Sequence, residues 1–350
     1  MLNSTGAISL GGSVTGQSVN LELGVSPSAT RRLGDPEVRG LAVKPSGLIS
    51  LSDLYGKSKP APLNTGNGYL PFQLTLRKLS FVTEVSYTLS AQVAESHYYS
   101  ATVGSVSKGF ICGGGGYLPI AVIEKLTYSS DAYVTTGAVL PQGRTDAGGV
   151  NSSTKGYIAG GGYGSYVVSA RDTVFTLDFA AETVATMGAA LPSAARFCST
   201  YSSLAKGYIL PVLYTGATFG VVFASDSTTT LSSVLPAIRK LPAGNVVNEF
   251  RGYSAGGEEV QEQFGYNDIT SLEFSTEAIS VRSAAISATR HRGTGVNSRV
   301  AGFFCGGYVP VSNPLTTTVD KIAFATETMT ANSAGLHAVS GYNPGLSCLT

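Results

Sequence analysis

Two short motifs alternate along most of this 350-residue chain with a period of about 47, and that periodicity restricts what it can fold into. The first is Gly-aromatic-x-x-Gly-Gly, clear at residues 109–114, 156–161, 252–257 and 302–307 and degraded at 68–73 and 207–212. The second is apolar-x-aromatic-x-x-acid. Its six copies are Leu79/Phe81/Glu84, Leu126/Tyr128/Asp131, Leu177/Phe179/Glu182, Val221/Phe223/Asp226, Leu272/Phe274/Glu277 and Ile322/Phe324/Glu327. A cationic residue stands eleven to thirteen positions before each later Gly-aromatic pair: His97, Arg144, Arg196, Arg239 and Arg290. A sixth, His337, has only thirteen residues after it, and its partner lies back at Gly68-Tyr69. A periodic chain whose last repeat is completed by its first is expected to close into a ring.

Apolar residues two apart share one face of a strand, and the acid then falls in a polar turn such as Ala180-Ala181-Glu182-Thr183. Each period reads as strand, loop, strand, turn, strand, loop, strand, which is one four-stranded antiparallel blade. Six periods make a six-bladed β-propeller. Composition agrees: there are 43 Gly, 15 Pro and no Trp, only 13% of residues are charged, and no long amphipathic helical pattern is present. The fold class is all-β, with residues 66–350 forming the propeller and residues 336–348 supplying a closing strand to blade one.

A net charge of +1 gives no basic field for nucleic acid. Cys112, Cys198, Cys305 and Cys348 are widely spread and form no C-x-x-C pair. Neither a zinc site nor a disulfide framework is expected, and no cofactor. The N-terminus lacks a secretory signal, and no apolar stretch is long enough to insert in a membrane. Catalytic signatures (H-E-x-x-H, G-x-S-x-G, a Walker loop) are missing, so an enzyme is not expected.

The run Gly-Tyr-Ile-Ala-Gly-Gly at 156–161, then Leu-Asp-Phe-Ala-Ala-Glu at 177–182 and Leu-Pro-Ser-Ala-Ala-Arg at 191–196, resembles a Kelch repeat, although every copy lacks that family's Trp. The resemblance covers about residues 64–350 and implies blades around a central channel, each with its innermost strand after the cationic position.

Residues 1–58 do not share the repeat, and residues 59–65 form a Pro-containing linker. The early segment carries Gly6-Ala7-Ile8-Ser9-Leu10, Asn20-Leu21-Glu22-Leu23-Gly24, Val38-Arg39-Gly40-Leu41-Ala42 and Ser46-Gly47-Leu48-Ile49-Ser50-Leu51-Ser52-Asp53-Leu54-Tyr55-Gly56-Lys57. It resembles a short N-terminal module of tailed-bacteriophage virion proteins. The resemblance implies a mostly irregular or β docking module holding other virion proteins, with Ile8, Leu10, Leu21, Leu23, Val38, Leu41, Ile49, Leu51, Leu54 and Tyr55 as its apolar contacts. It also implies synthesis in a bacterial cytoplasm, a place in the virion and a symmetric homo-oligomer such as a trimer. Sixty residues with few large apolar side chains make a weak core, which docking on a neighbour would stabilise.

Two sets of residues are candidates for ligand contact. The cationic ring (His97, Arg144, Arg196, Arg239, Arg290 and His337) could hold an anion, but a position repeated in every blade suits a structural role better. The loops after the Gly-Gly positions carry Tyr117, Tyr163, Tyr166, Tyr214, Tyr266 and Tyr308, and aromatic faces on a rigid scaffold suit a host-surface glycan or protein. The function expected is thus host binding by a virion appendage, as tail fibre, baseplate or neck/head fibre. A purely structural decoration protein and a glycan depolymerase are the alternatives.

Overall fold

The computed structural model describes residues 66–350 apart from 73, 93, 116–117, 164–168, 212–216, 236–239, 259–264, 311–313, 333, 337–344 and 347–350. Before residue 66 it describes only residues 18–22, 28, 32, 38, 50 and 54. Five blades have four antiparallel strands each. Blade two is Ala101–Gly104, Lys108–Cys112, Val122–Thr127 and Ala132–Val139; blade three is Gly148–Asn151, Lys155–Ala159, Val174–Asp178 and Val184–Thr186. Blade four is Ser199–Ser202, Lys206–Leu210, Ala217–Val222 and Ser227–Val234; blade five is Gly244–Val247, Arg251–Ala255, Asp268–Glu273 and Ile279–Ala285. Blade six is Thr294–Asn297, Ala301–Cys305, Val319–Ala323 and Thr328–Asn332. Blade one contributes Asn67–Phe72, Thr75–Ser80 and Ser86–Gln92.

Burial falls from the axis outward. Thr294–Asn297 is buried throughout, whereas Ala132–Val139 alternates between exposed and half-buried residues. The antiparallel order puts the turns within strand pairs one–two and three–four on one face, called the latch face. The two–three loops and the blade-to-blade connections lie on the opposite, mouth face.

The two sequence motifs meet across the seams between blades. The aromatic of each Gly-aromatic pair stacks on the motif aromatic of the following blade: Tyr69 on Tyr128, Phe110 on Phe179, Tyr157 on Phe223, Tyr208 on Phe274, Tyr253 on Phe324 and Phe303 on Phe81. Ring centroids are 5.1–5.7 Å apart and the planes lie within 22° of parallel. Each such contact adds about 0.5–1.5 kcal/mol beyond area burial.

The glycine before the aromatic is required by close approach. A Cβ on Gly156, Gly207, Gly302 or Gly68 would lie 2.3–2.5 Å from a methyl of Val103, Val150, Val246 or Val296 on the inner strand of the preceding blade. At Gly252 the same place is filled by the Tyr201 ring.

The motif acids complete the seam. Asp131, Glu182, Asp226, Glu277, Glu327 and Glu84 adopt left-handed backbone with φ of 46–56°. Each pairs with a cation on the preceding blade, namely Lys78, Lys125, Lys155, Lys206, Arg251 and Lys321, at 2.5–2.9 Å. Tyr69, Tyr157 and Tyr253 also donate their hydroxyls to the acid across their seam. Because Glu84 of blade one holds Lys321 of blade six, and Phe81 stacks on Phe303, the ring closes with the contacts that join every other pair.

The C-terminal segment reaches blade one at Gly345 and Leu346. Leu346 exchanges backbone hydrogen bonds with Tyr69 at 3.0 and 3.3 Å, and its side chain packs where a Gly109 Cβ would stand. It thereby takes the inner-strand place that Val103 holds in blade two.

Contact clustering divides the chain into Met1–Ala61 and Pro62–Thr350. In the first unit Val19–Glu22 forms one helical turn, where the sequence suggested only irregular or β structure, and Val38 and Leu54 are fully buried. The side chain of Leu21 and the other expected docking residues Ile8, Leu10, Leu23, Leu41, Ile49, Leu51 and Tyr55 lie outside the described residues.

Candidate functional site

In blades two, three and six, strand register resolves the cationic position into a two-residue socket inside the blade. In blade six Arg290, fully buried, donates to the carbonyls of Gly306 and Thr318 at 2.9 Å and pairs with Asp320 on the third strand. In blade two His97 Nδ1 lies 2.5 Å from the Gly113 carbonyl oxygen and Nε2 lies 2.7 Å from Glu124, the counterpart of Asp320. Burial pushes the Glu124 carboxyl up, but hydrogen bonds from His97, Tyr133 and the Ala94 N–H hold it below its usual range. In blade three the acid is replaced by Phe175, and the Arg144 guanidinium stacks 4.8 Å from its ring centroid. Burial, with repulsion from Arg171, brings Arg144 down to about 10.

Arg196 is not a member of this set. The carbonyl that receives the Gly-Gly amide is that of Arg144, Ala195 and Arg290 in turn, so blade four places Ala195, not Arg196, at the cationic position. Arg196 stands one residue later, on the channel side, where it pairs with Asp146 at 2.6 Å. Arg239 and His337 lie outside the described residues.

Two residues past the socket position the chain turns onto the axis. Tyr99, Asp146, Phe197, Leu241 and Arg292 all adopt left-handed φ of 51–57°, which is uncommon for residues with side chains. In three of them the backbone N–H meets a neighbour's carbonyl: Asp146 donates to Tyr99, Phe197 to Asp146 and Arg292 to Leu241. These five residues rim a cavity of about 160 Å³ on the ring axis, whose walls include Thr102, Thr200, Asn245 and Cys198.

The rim side chains differ in all five described blades. Tyr99 and Phe197 meet edge to face at 6.5 Å, Asp146 carries a nearly buried carboxylate, and Arg292 and Leu241 complete the border. Burial pushes the Asp146 carboxyl up against the opposing pull of Arg196 and Arg292. Behind Arg292, Glu258 is surrounded by His291 at 2.8 Å, Arg292 at 3.1 Å and Lys240 at 3.6 Å. Burial works against its ionisation, and those cations hold its carboxyl below the usual range. Glu258 is therefore a buried counterion. Aromatic faces beside a carboxylate and guanidinium groups can stack on a sugar ring and take up its hydroxyls.

Of the loop tyrosines, Tyr163 is exposed, with Arg171 5.9 Å from its ring centroid. Tyr308 is half-buried against His291, and Tyr266 is half-buried with its N–H bonded to the Gly257 carbonyl. Tyr117, Tyr166 and Tyr214 lie outside the described residues. The sequence reading missed Tyr99 and Phe197, whose signal is their fixed place two residues past the socket position.

Among the described residues no group of three His, Cys, Asp or Glu could hold a metal ion, and no helix is long and apolar enough to cross a membrane. Cys112, Cys198 and Cys305 are free thiols, and burial raises all three, Cys305 to about 12, so they are poor nucleophiles.

No protein-family model matches the sequence, and no curated protein matches it. The chain is similar to a solved structure described as "Structure of YjhT", at 13% identity with a TM-score of 0.61, over 79% of this chain and 98% of that one. At that identity the likeness is one of fold: the chain is a six-bladed β-propeller.

Proposed function

We propose that this protein is a structural component of a bacteriophage particle, a tail fibre, baseplate or neck/head fibre. Residues 1–58 anchor it, and a Kelch-like propeller is displayed to bind a glycan or protein of the host surface. The phage-module pattern ending Ile49-Ser50-Leu51-Ser52-Asp53-Leu54-Tyr55-Gly56-Lys57 carries the virion assignment. The channel mouth carries the binding assignment: one repeated, strained backbone position presents a different side chain in each described blade, as a recognition surface requires.

No chemistry is needed. All six motif acids are engaged by cations across seams, which leaves none of them as the acid pair that a depolymerase requires. Binding is then made strong by many copies in a symmetric assembly. One observation favours a purely structural reading: the turn tips Val82, Val106, Leu204 and Val300 are exposed on the latch face, as suits packing against neighbours in the particle.

The test is a phage whose copy of this gene lacks residues 1–58. The account expects soluble propeller in the lysate and particles without it; particles that still incorporate the shortened chain overturn the anchoring role. Full-length protein that neither binds host cells nor competes with phage adsorption would leave the decoration reading in place of the binding one.

A further inference from the structure

Blades two, three and six each set the basic residue of the socket against a partner on the third strand, and blade one differs. Blades two and six hold an acid against a basic side chain, Glu124 with His97 and Asp320 with Arg290. Blade three places Phe175 under Arg144. In blade one the register Gly68↔Leu79, matching Gly109↔Leu126 and Gly302↔Ile322, puts Arg77 where Glu124 and Asp320 stand.

Arg77 is 6% exposed, and its Nε and Nη1 are buried without a hydrogen-bond partner. The Phe72 ring centroid lies 5.3 Å from its Cζ. The loop amide that serves the acid in the other two sockets, Ala94 N–H for Glu124 and Ser287 N–H for Asp320, has its counterpart in Ala334 N–H, which is bonded instead to Asn332. Blade one has thus lost the acid, gained a guanidinium and received no countercharge among the described residues. A buried charge with no partner is costly, and a ring face compensates only part of that cost. The Nε–H of a guanidinium and the Nη on the same edge present two parallel donors that match two oxygens of one anion.

We propose that blade one binds a small oxyanion, a phosphate or a carboxylate, seated on the guanidinium of Arg77. The anion restores in this blade the ion pair that Glu124 and Asp320 complete in theirs. The site is separate from the channel mouth, and it stands whether or not the protein belongs to a virion.

Thermal unfolding of the full-length protein in rising sodium phosphate, sodium acetate or sodium glucuronate, with ionic strength held by sodium chloride and glucose as the neutral control, reads the site. The wild type should show a saturable rise in Tm with at least one anion and none with glucose. Phosphate alone would identify a phosphate site, and acetate with glucuronate a carboxylate site. Arg77→Met should abolish the rise, and Arg77→Lys should shift its midpoint to roughly tenfold or more higher anion, since an ammonium lacks the paired donors. If Arg77→Met does not fold, the Nε–Hε NMR resonance of Arg77 in the wild type, assigned with Arg77→Lys, should move along the same titration. No saturable rise with any anion, an equal rise in Arg77→Met, or an unmoved resonance would overturn the proposal.

Discussion

Two sets of left-handed residues occur in this ring, and they meet different structural demands. At the latch-face turns the residue is Asp or Glu in all six blades. At the channel mouth it is Tyr, Asp, Phe, Leu and Arg in five successive blades, with no type repeated. The backbone strain is comparable at both places, on the order of 1 kcal/mol per residue. At the turns that strain places a carboxylate on the neighbouring blade's cation, so one solution serves every seam. At the mouth the repeated feature is the backbone, which in three blades donates its N–H to a neighbour's carbonyl, and the side chain differs. Uniformity marks what holds the ring together, and variety marks what the ring can present.

The largest effect should come from the closing seam. Phe303→Ala removes a buried ring stacked on Phe81 and should cost about 3–5 kcal/mol, read as a lower midpoint in urea unfolding. Removing one member of a buried socket should cost a similar amount. Arg290→Met leaves Asp320 unpaired and should lose about 3–5 kcal/mol, while Arg290→Met with Asp320→Leu should recover most of it. Recovery of less than half would show that the carbonyl bonds to Gly306 and Thr318 dominate that socket.

Next in size, Gly302→Ala forces a Cβ to within 2.5 Å of Val246 and should cost roughly 1–3 kcal/mol, relieved by adding Val246→Ala. An unrelieved loss would place the strain elsewhere than in the seam.

The latches should be the weakest singly, because their side chains are about one-quarter to one-third exposed. Their collective effect is visible in pH. Hydrogen bonds from Lys108 and Lys125 lower the Glu182 carboxyl, and those from Lys155 and Tyr157 lower that of Asp226. A carboxyl lowered by folding contributes stability above its unfolded value of roughly 4, and that contribution is lost as pH falls through the folded value. Urea midpoints should therefore fall below about pH 4, and Glu182→Gln with Asp226→Asn should flatten that fall. A slope unchanged in the double variant would assign the acid sensitivity to other groups.

The number of blades was legible because the seam needs the same residues six times. Glycine without a Cβ, a stacked aromatic and a latch acid each leave a fixed spacing in the chain. What spacing could not show is that the two motifs contact each other between blades, not within one. The cationic position was half legible. His97, Arg144 and Arg290 stand twelve residues before their Gly-aromatic pairs, whereas Arg196 stands eleven before Gly207, and that difference of one residue is what moves it from socket to channel. The partner half of the socket was hidden, since Glu124, Phe175, Asp320 and Arg77 share no residue type. The mouth was hidden for the same reason: a position defined by its backbone and varied in its side chains leaves no repeated letter to find.

The central claim is that the varied positions bind and the uniform ones only hold. It is tested most directly by host-cell binding of full-length protein carrying Tyr99→Ala with Phe197→Ala, beside protein carrying the latch change Glu277→Gln. The account expects the mouth variant to lose at least tenfold in apparent affinity, with its unfolding midpoint within about 1 kcal/mol of wild type, and the latch variant to bind normally. Wild-type binding by a folded mouth variant would contradict it.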